Sequence, residues 1–285
     1  METLKIAYID FWPEWADEDF ITPLLKAHFN IEIDPKNPDV IFHSVFGTNA
    51  NNYSCKKILF LGENKRYQNY NTDYSITFDP HTNTNYRLPL WQAFILKKPE
   101  LLDRLFNRVQ HKSFDNFCSF TVSNGANFIR NGIFNQLNNY KKVKSYGRYM
   151  TNDQSLQKAS QERYWRDAKD DFFVTNKHKF MLAYENNAYK YYCTEKLMDA
   201  FLGGSLPIYW GDVRAKEDWN DKAFIDGTKL GSGVLDIVKR LDNDQSLFDD
   251  MYSQPVFTDE QKKKLLENLK SFPKWLIKII NNDKK

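Results

Sequence analysis

Three places in the chain carry residue types that could act on a charged substrate. In Tyr192-Cys-Thr-Glu-Lys-Leu197, Glu195 and Lys196 follow Thr194, a residue suited to cap a helix. Leu197, Met198, Phe201 and Leu202 then fall on one helical stripe, and Gly203 and Gly204 stop it. Lys196 thus stands in a first helical turn, where the helix dipole disfavours a cation by about 0.3 to 1 kcal/mol unless an anion is near. Backbone N–H groups and a lysine converging on one point suit a phosphate, and an ordinary solvated lysine is the alternative. Arg130 meets the same penalty near the start of a helix with Ile129, Ile133, Phe134 and Leu137 on one face, and its fork matches phosphate oxygens. Glu63, in Gly62-Glu-Asn64, puts one carboxylate directly after an apolar strand. It could serve as a general base or be a solvated turn residue.

These groups need elements to hold them. Residues 180–184 form a short apolar run that ends at Glu185-Asn-Asn187, and residues 206–210 form a second run closed by Gly211 and Asp212. With the helix between them they make a strand, crossover helix and parallel strand. Ligands of such units lie beyond the carboxyl ends of the strands, which gathers Glu185, Asn186, Tyr192, Thr194, Glu195 and Lys196 at one mouth. The N-terminal half repeats the theme, with strands at 4–9, 31–33, 40–43, 57–61 and 74–78 and helical spacing at 19–29. The pattern is α/β, and a second α/β run starts at residue 117. Glu63 falls at the carboxyl edge of the N-terminal sheet. So does the loop from Asp10 to Trp15, rich in aromatic and acidic residues. Asp17-Glu-Asp19 can be a helix start or a metal-binding acidic pair; the helix start is simpler, and no metal is expected.

The strings Tyr184-Glu-Asn-Asn187, Tyr192-Cys-Thr-Glu-Lys-Leu197 and Leu206-Pro-Ile-Tyr-Trp-Gly211 together resemble the signature of the GDP-fucose-dependent α-1,3-fucosyltransferases, in their bacterial form. Cys193 stands where a valine is usual and Asn187 where a serine is common. Val122-Ser-Asn124, Arg130, Gly147-Arg148 and Gly62-Glu-Asn64 match further family positions. The resemblance implies two Rossmann-like domains facing across a cleft, the GT-B type: residues 1–112 for the acceptor, 113–258 for GDP-fucose, and 259–285 a helical tail. It implies inverting transfer to a glycan hydroxyl, O3 of N-acetylglucosamine, with Glu63 as catalytic base. Donor contacts would be Ser123, Asn124, Arg130, Glu185, Asn186, Tyr192, Glu195 and Lys196. Acceptor contacts would come from Trp12, Glu14 and Trp15. GDP-fucose is then a substrate, with no cofactor and no metal.

Composition narrows the rivals. The 285 residues, 41% hydrophobic, suffice for two ordinary cores. A net charge of +3 gives no global field for nucleic acid, and no Gly-x-Gly-x-x-Gly supports a dehydrogenase. A sister glycosyltransferase with another GDP-sugar or linkage, and a non-catalytic nucleotide- or RNA-binding module, remain as alternatives. Three widely spaced cysteines fit a reducing compartment. With no leader-like start and no long apolar run, a cytoplasmic chain is expected. The tail from Glu260 mixes lysines with apolar residues; it could dock on the fold or touch an anionic membrane surface, and Pro273 favours docking by interrupting any long amphipathic helix. Residues 155–171 form a charged, aromatic segment, longer than the resemblance leads one to expect, with no function readable from it.

Overall fold

The computed structural model describes residues 1–161 and 164–282; two positions of the 155–171 segment and the end of the tail lie outside the described residues. The chain divides into two compact units. One is Met1–Pro99 together with the chain from Lys263 onward, and the other is Glu100–Lys262.

The first unit holds six parallel strands: β1 (Thr3–Ile9), β2 (Asn30–Ile33), β3 (Val40–His43), β4 (Lys56–Phe60), β5 (Tyr74–Thr77) and β6 (Asn85–Arg87), in the order β2-β1-β3-β4-β5-β6. Its inner strands are nearly unbroken apolar runs because both faces are covered. Ile6, Phe42, Ile58, Phe60 and Ile76 share one core with Ile21, Leu25 and Ala93. The predicted 19–29 helix is shorter, Ile21–Lys26, and a separate short helix, Trp15–Glu18, precedes it. Asp19 explains the break, since its Oδ1 accepts from the amides of Ile21 (2.8 Å) and Thr22 (3.0 Å) and restarts the helix.

The same core receives Phe272, Leu276, Ile279 and Ile280 from the closing helix, Asp259–Asn281. This helix runs through Pro273, where an interruption was expected. A proline costs an interior helix about 3 kcal/mol, and four large side chains at 0–2% exposure offset it at about 1.5–3 kcal/mol each. Lys56 Nζ donates to the carbonyls of Ile280 (3.0 Å) and Ile279, satisfying acceptors that the helix end would leave orphaned.

The second unit holds five parallel strands: β7 (Asn116–Phe120), β8 (Val143–Ser145), β9 (His178–Tyr184), β10 (Leu206–Trp210) and β11 (Ile225–Asp226), in the order β11-β10-β9-β7-β8. β9 and β10 pair in parallel from Phe180 with Leu206 to Tyr184 with Trp210, joined through the Lys196–Leu202 helix. That is the crossover unit expected from sequence. Residues 155–171 contribute two helices, Ser155–Ala159 and Trp165–Thr175. Phe172 and Phe173 from the latter pack with Tyr146, Met181 and Ala200.

Candidate functional site

The carboxyl end of β9 delivers Glu185 into a sealed position, at 0% exposure. Its Oε1 accepts from the Thr194 amide at 2.7 Å, and its Oε2 meets the Thr194 hydroxyl at 2.7 Å and Lys196 Nζ at 3.1 Å. Lys196 Nζ also donates to Thr194 Oγ1 (2.8 Å) and lies 3.4 Å from Glu195 Oε1. The anion that the dipole argument demanded at this helix start is therefore supplied within the chain, first by Glu185. Thr194 does not cap the helix; Glu195 occupies the N-cap and Thr194 spends its hydroxyl on Glu185. Glu185 was expected to touch the donor. At 0% exposure its carboxylate oxygens are engaged by Thr194 and Lys196.

The charges here are strongly biased. Burial pushes the Glu185 carboxyl up, with Lys196 and Thr194 opposing. Burial also works against the Lys196 ammonium, but Glu185 and Glu195 outweigh it and hold its pKa well above the usual lysine range. Burial alone would raise Glu195, yet Lys196, Lys169 and Arg166 bring it down to about 2. Glu195 is thus a fixed, acceptor-only carboxylate, able to receive two hydroxyl protons in hydrogen bonds.

Arg130 belongs to the Phe128–Tyr140 helix, which Asn127 caps by accepting from the Arg130 amide at 3.0 Å. Asn127 Nδ2 donates to the Asn186 carbonyl at 2.9 Å, which ties this helix start to the loop after β9. The Arg130 side chain is 1% exposed. Its Nη1 donates to Asn186 Oδ1 at 2.7 Å and its Nη2 to the Asn124 carbonyl, whereas Nε is buried without a partner. Burial lowers its pKa, and Glu185 is its first opposing charge. A guanidinium held by neutral acceptors can exchange them for a stronger anion. Asn186 is exposed on its loop. Ser123 and Asn124 are exposed beside it, and Arg148 is exposed in its own loop. Tyr192 is 2% exposed.

Sequence reasoning missed several positioning groups. Gly211 must be bare, because a Cβ there would lie 2.5 Å from the Tyr209 hydroxyl and 2.7 Å from Glu185 Cγ. Asp212 Oδ2 accepts from the amide of Tyr191, whose φ of 67° places a non-glycine residue in the left-handed region. The Trp-Gly-Asp string carried this signal, but only as a strand end. Asp199, Arg166 and Lys169 were missed too; Arg166 Nη2 lies 2.8 Å from Asp199 Oδ1, and Lys169 Nζ pairs with Asp199 Oδ2.

In the first unit Glu63 follows β4 in an exposed turn, and its carbonyl accepts from the Lys65 amide at 2.7 Å. At the end of β1, Trp12 Nε1 donates to Glu18 Oε2 at 3.0 Å and Glu14 is exposed. Trp15, expected to contact an acceptor, is 5% exposed and packed on Phe11, Phe20 and Phe60, so its ring serves the core. Among the described residues no group of three or more His, Cys, Asp or Glu side chains is arranged to hold a metal ion.

Comparison with known proteins agrees over most of the chain. Residues 6–94 match the alpha-(1,3)-fucosyltransferase FucT N-terminal domain, and residues 111–257 match the C-terminal part of glycosyltransferase family 10 (fucosyltransferase). The alpha-(1,3)-fucosyltransferase FucT of Helicobacter pylori is 27% identical over 331 aligned residues, which cover 98% of this chain and 66% of that protein. An alpha-(1,4)-fucosyltransferase of Arabidopsis thaliana is 38% identical over 78 residues, 27% of this chain and 20% of its own. The chain thus spans just under two thirds of the length of the H. pylori relative. A crystal structure of alpha1,3-fucosyltransferase with GDP-fucose shares the fold at a TM-score of 0.73 and 21% identity, covering 100% of this chain and 93% of that one. With both its α/β units matched by family models, the chain belongs to glycosyltransferase family 10, the fucosyltransferases.

Proposed function

We propose that the chain moves fucose from GDP-fucose to a hydroxyl of a glycan, O3 of an N-acetylglucosamine residue, with inversion at the sugar carbon. The observation that carries this reading is the cluster at the start of the Lys196–Leu202 helix, where the Lys196 ammonium lies 3.4 Å from a Glu195 carboxylate oxygen. A nucleoside diphosphate presents the matching pair, phosphate oxygens beside ribose hydroxyls. Lys196 and Arg130 would meet the diphosphate as it departs, with Asn186 and Asn124 yielding the guanidinium. Glu195 would accept from the ribose hydroxyls, with Tyr192, Asn186 and Ser123 around the donor. Glu63 would take the proton from the acceptor hydroxyl as its oxygen bonds to the sugar carbon and the bond from that carbon to the diphosphate oxygen breaks. Trp12 and Glu14 are the solvent-facing part of the loop assigned to the acceptor. Two cations suffice to receive the leaving charge, so the reading requires no divalent metal.

The test is a screen of glycan acceptors with GDP-fucose and other GDP-sugars, run with and without EDTA. Turnover with GDP-fucose that survives chelation supports the reading; complete loss restored by manganese defeats its metal-free part. Turnover only with another GDP-sugar would make the chain a sister enzyme. The same reading keeps the chain in the cytoplasm. Any membrane contact then rests on Lys263, Lys270, Lys274 and Lys278, exposed on the closing helix whose apolar face is spent on the first unit's core. Salt-sensitive flotation with anionic but not neutral vesicles would support that contact.

A further inference from the structure

The charged segment without a readable function lies against the donor helix. From the Trp165–Thr175 helix, Arg166 and Lys169 both reach Asp199, which stands one turn into the Lys196–Leu202 helix. The Asp199 amide donates to the Glu195 carbonyl at 2.8 Å, so whatever fixes Asp199 fixes the backbone that presents Glu195 and Lys196. Asp199 and Arg166 are 5% and 6% exposed, and the Lys169 side chain is 11% exposed. Desolvating three charges in this way is weak evidence of a stability device, since apolar side chains of similar volume often hold two helices as well or better. What apolar packing cannot supply is a positive field at Glu195. Arg166 and Lys169 supply it, after Lys196.

We propose that Arg166 and Lys169 are positioning residues for the nucleotide: through Asp199 they fix the start of the donor helix that presents Glu195 and Lys196. The 155–171 segment is thereby part of the donor site without touching the donor. The inference rests on the assignment of Glu195 and Lys196 to GDP-fucose. The other charges facing the cluster are Lys196 and Glu185 from the site itself, Asp170 from the same helix and Arg104 from the Glu100–Phe106 helix. Burial and the neighbouring Asp199 raise Asp170, with Arg166, Lys169 and Arg104 opposing.

Lys169 allows the sharper test because Arg166 still holds Asp199 when it is changed. GDP affinity by calorimetry, donor KM and kcat are measured for Lys169→Met, Lys169→Gln and Lys169→Arg, with thermal midpoints to establish that each is folded. Lys169→Met should weaken GDP binding and raise donor KM by about tenfold, with kcat at saturating donor falling less than about threefold, since the reacting groups remain. Lys169→Gln, which keeps a hydrogen bond to Asp199 but no charge, should be intermediate, and Lys169→Arg should lie near wild type. A purely structural brace would lower the thermal midpoint without this ordering in KM. GDP affinity within twofold of wild type in both Lys169→Gln and Lys169→Met, or in Lys169→Gln alone if the Met variant does not fold, overturns the proposal. Failure of the donor assignment itself is separately visible, because Lys196→Ala would then also bind GDP as wild type does.

Discussion

Glu-Asn occurs at the carboxyl end of a central parallel strand in each unit, as Glu63-Asn64 after β4 and as Glu185-Asn186 after β9. The two carboxylates have opposite fates. Glu63 is exposed, whereas Glu185 is sealed under Thr194 and Lys196 with Gly211 giving it room. The dipeptide does not decide the role. The difference comes from residues some distance along the chain: in the second unit a helix begins within reach and offers an amide, a hydroxyl and an ammonium. In the first, the turn continues into Arg66, whose Nη1 lies 2.9 Å from Asp79 Oδ1. A carboxylate built into its surroundings, as Glu185 is, has its oxygens spent on neighbouring groups.

The comparison is most sharply tested by removing each carboxylate's acidity. Glu63→Gln should lower transfer by about 100-fold to 10,000-fold while GDP-fucose affinity barely changes. Retention of more than about a third of wild-type kcat would shift the base to Glu14 or Asp10, and the contrast between the two strand ends would collapse. Next in size, Lys196→Ala and Arg130→Ala should each cost roughly 100-fold in kcat and also weaken GDP binding. Wild-type values of both would mean that these cations serve only the fold. Glu185→Gln should act mainly on the second unit's stability, lowering it by about 1–3 kcal/mol in urea titrations as a buried hydrogen-bond network loses its charge. An unchanged midpoint would show that the enclosed carboxylate is not what holds Thr194 and Lys196.

The smallest effect expected is on pH dependence. Glu195 titrates at about 2 in the folded chain against a usual value of 4.5. Its ionised form therefore contributes stability that is fully present above pH 4.5 and is lost as the pH falls from there toward 2. The stability difference between wild type and Glu195→Gln should be constant near neutrality and shrink with acidification in urea titrations at stepped pH. A difference independent of pH down to about 3, well inside the window where linkage requires it to shrink, would mean that Lys196 does not act on Glu195 as the geometry implies.

Much of this site can be read in the sequence, for a physical reason. The strand, helix and strand from 180 to 210 are local, and their apolar periods are strong enough to locate Glu185, Glu195 and Lys196 at one end. What stays hidden is which polar groups satisfy one another. Glu185 and Thr194 are nine residues apart, and Arg166 and Asp199 thirty-three, so no period connects them. Dipole reasoning at Lys196 correctly called for an anion but could not tell a ligand from Glu185. The Trp165–Thr175 helix buries charged Arg166 and Asp170 beside Ala168, Phe172 and Phe173, which blurs the apolar stripe that would have announced it. Pro273 misled for the converse reason: tertiary burial of its neighbours overrode a local rule.

The closing helix also has a consequence for how the chain is made. The strands of the first unit are all synthesised by residue 87, yet Phe272, Leu276, Ile279 and Ile280, which cover one face of that sheet, emerge only after the whole second unit. At a translation rate of about 5–20 residues per second the gap lasts roughly ten to forty seconds. During it the second unit can fold on the ribosome, while the N-terminal sheet has only Ile21, Leu25, Ala93 and their neighbours on a face that the closing helix later completes. Strands made before the second unit are thus completed only after it, by a helix that follows it in the chain.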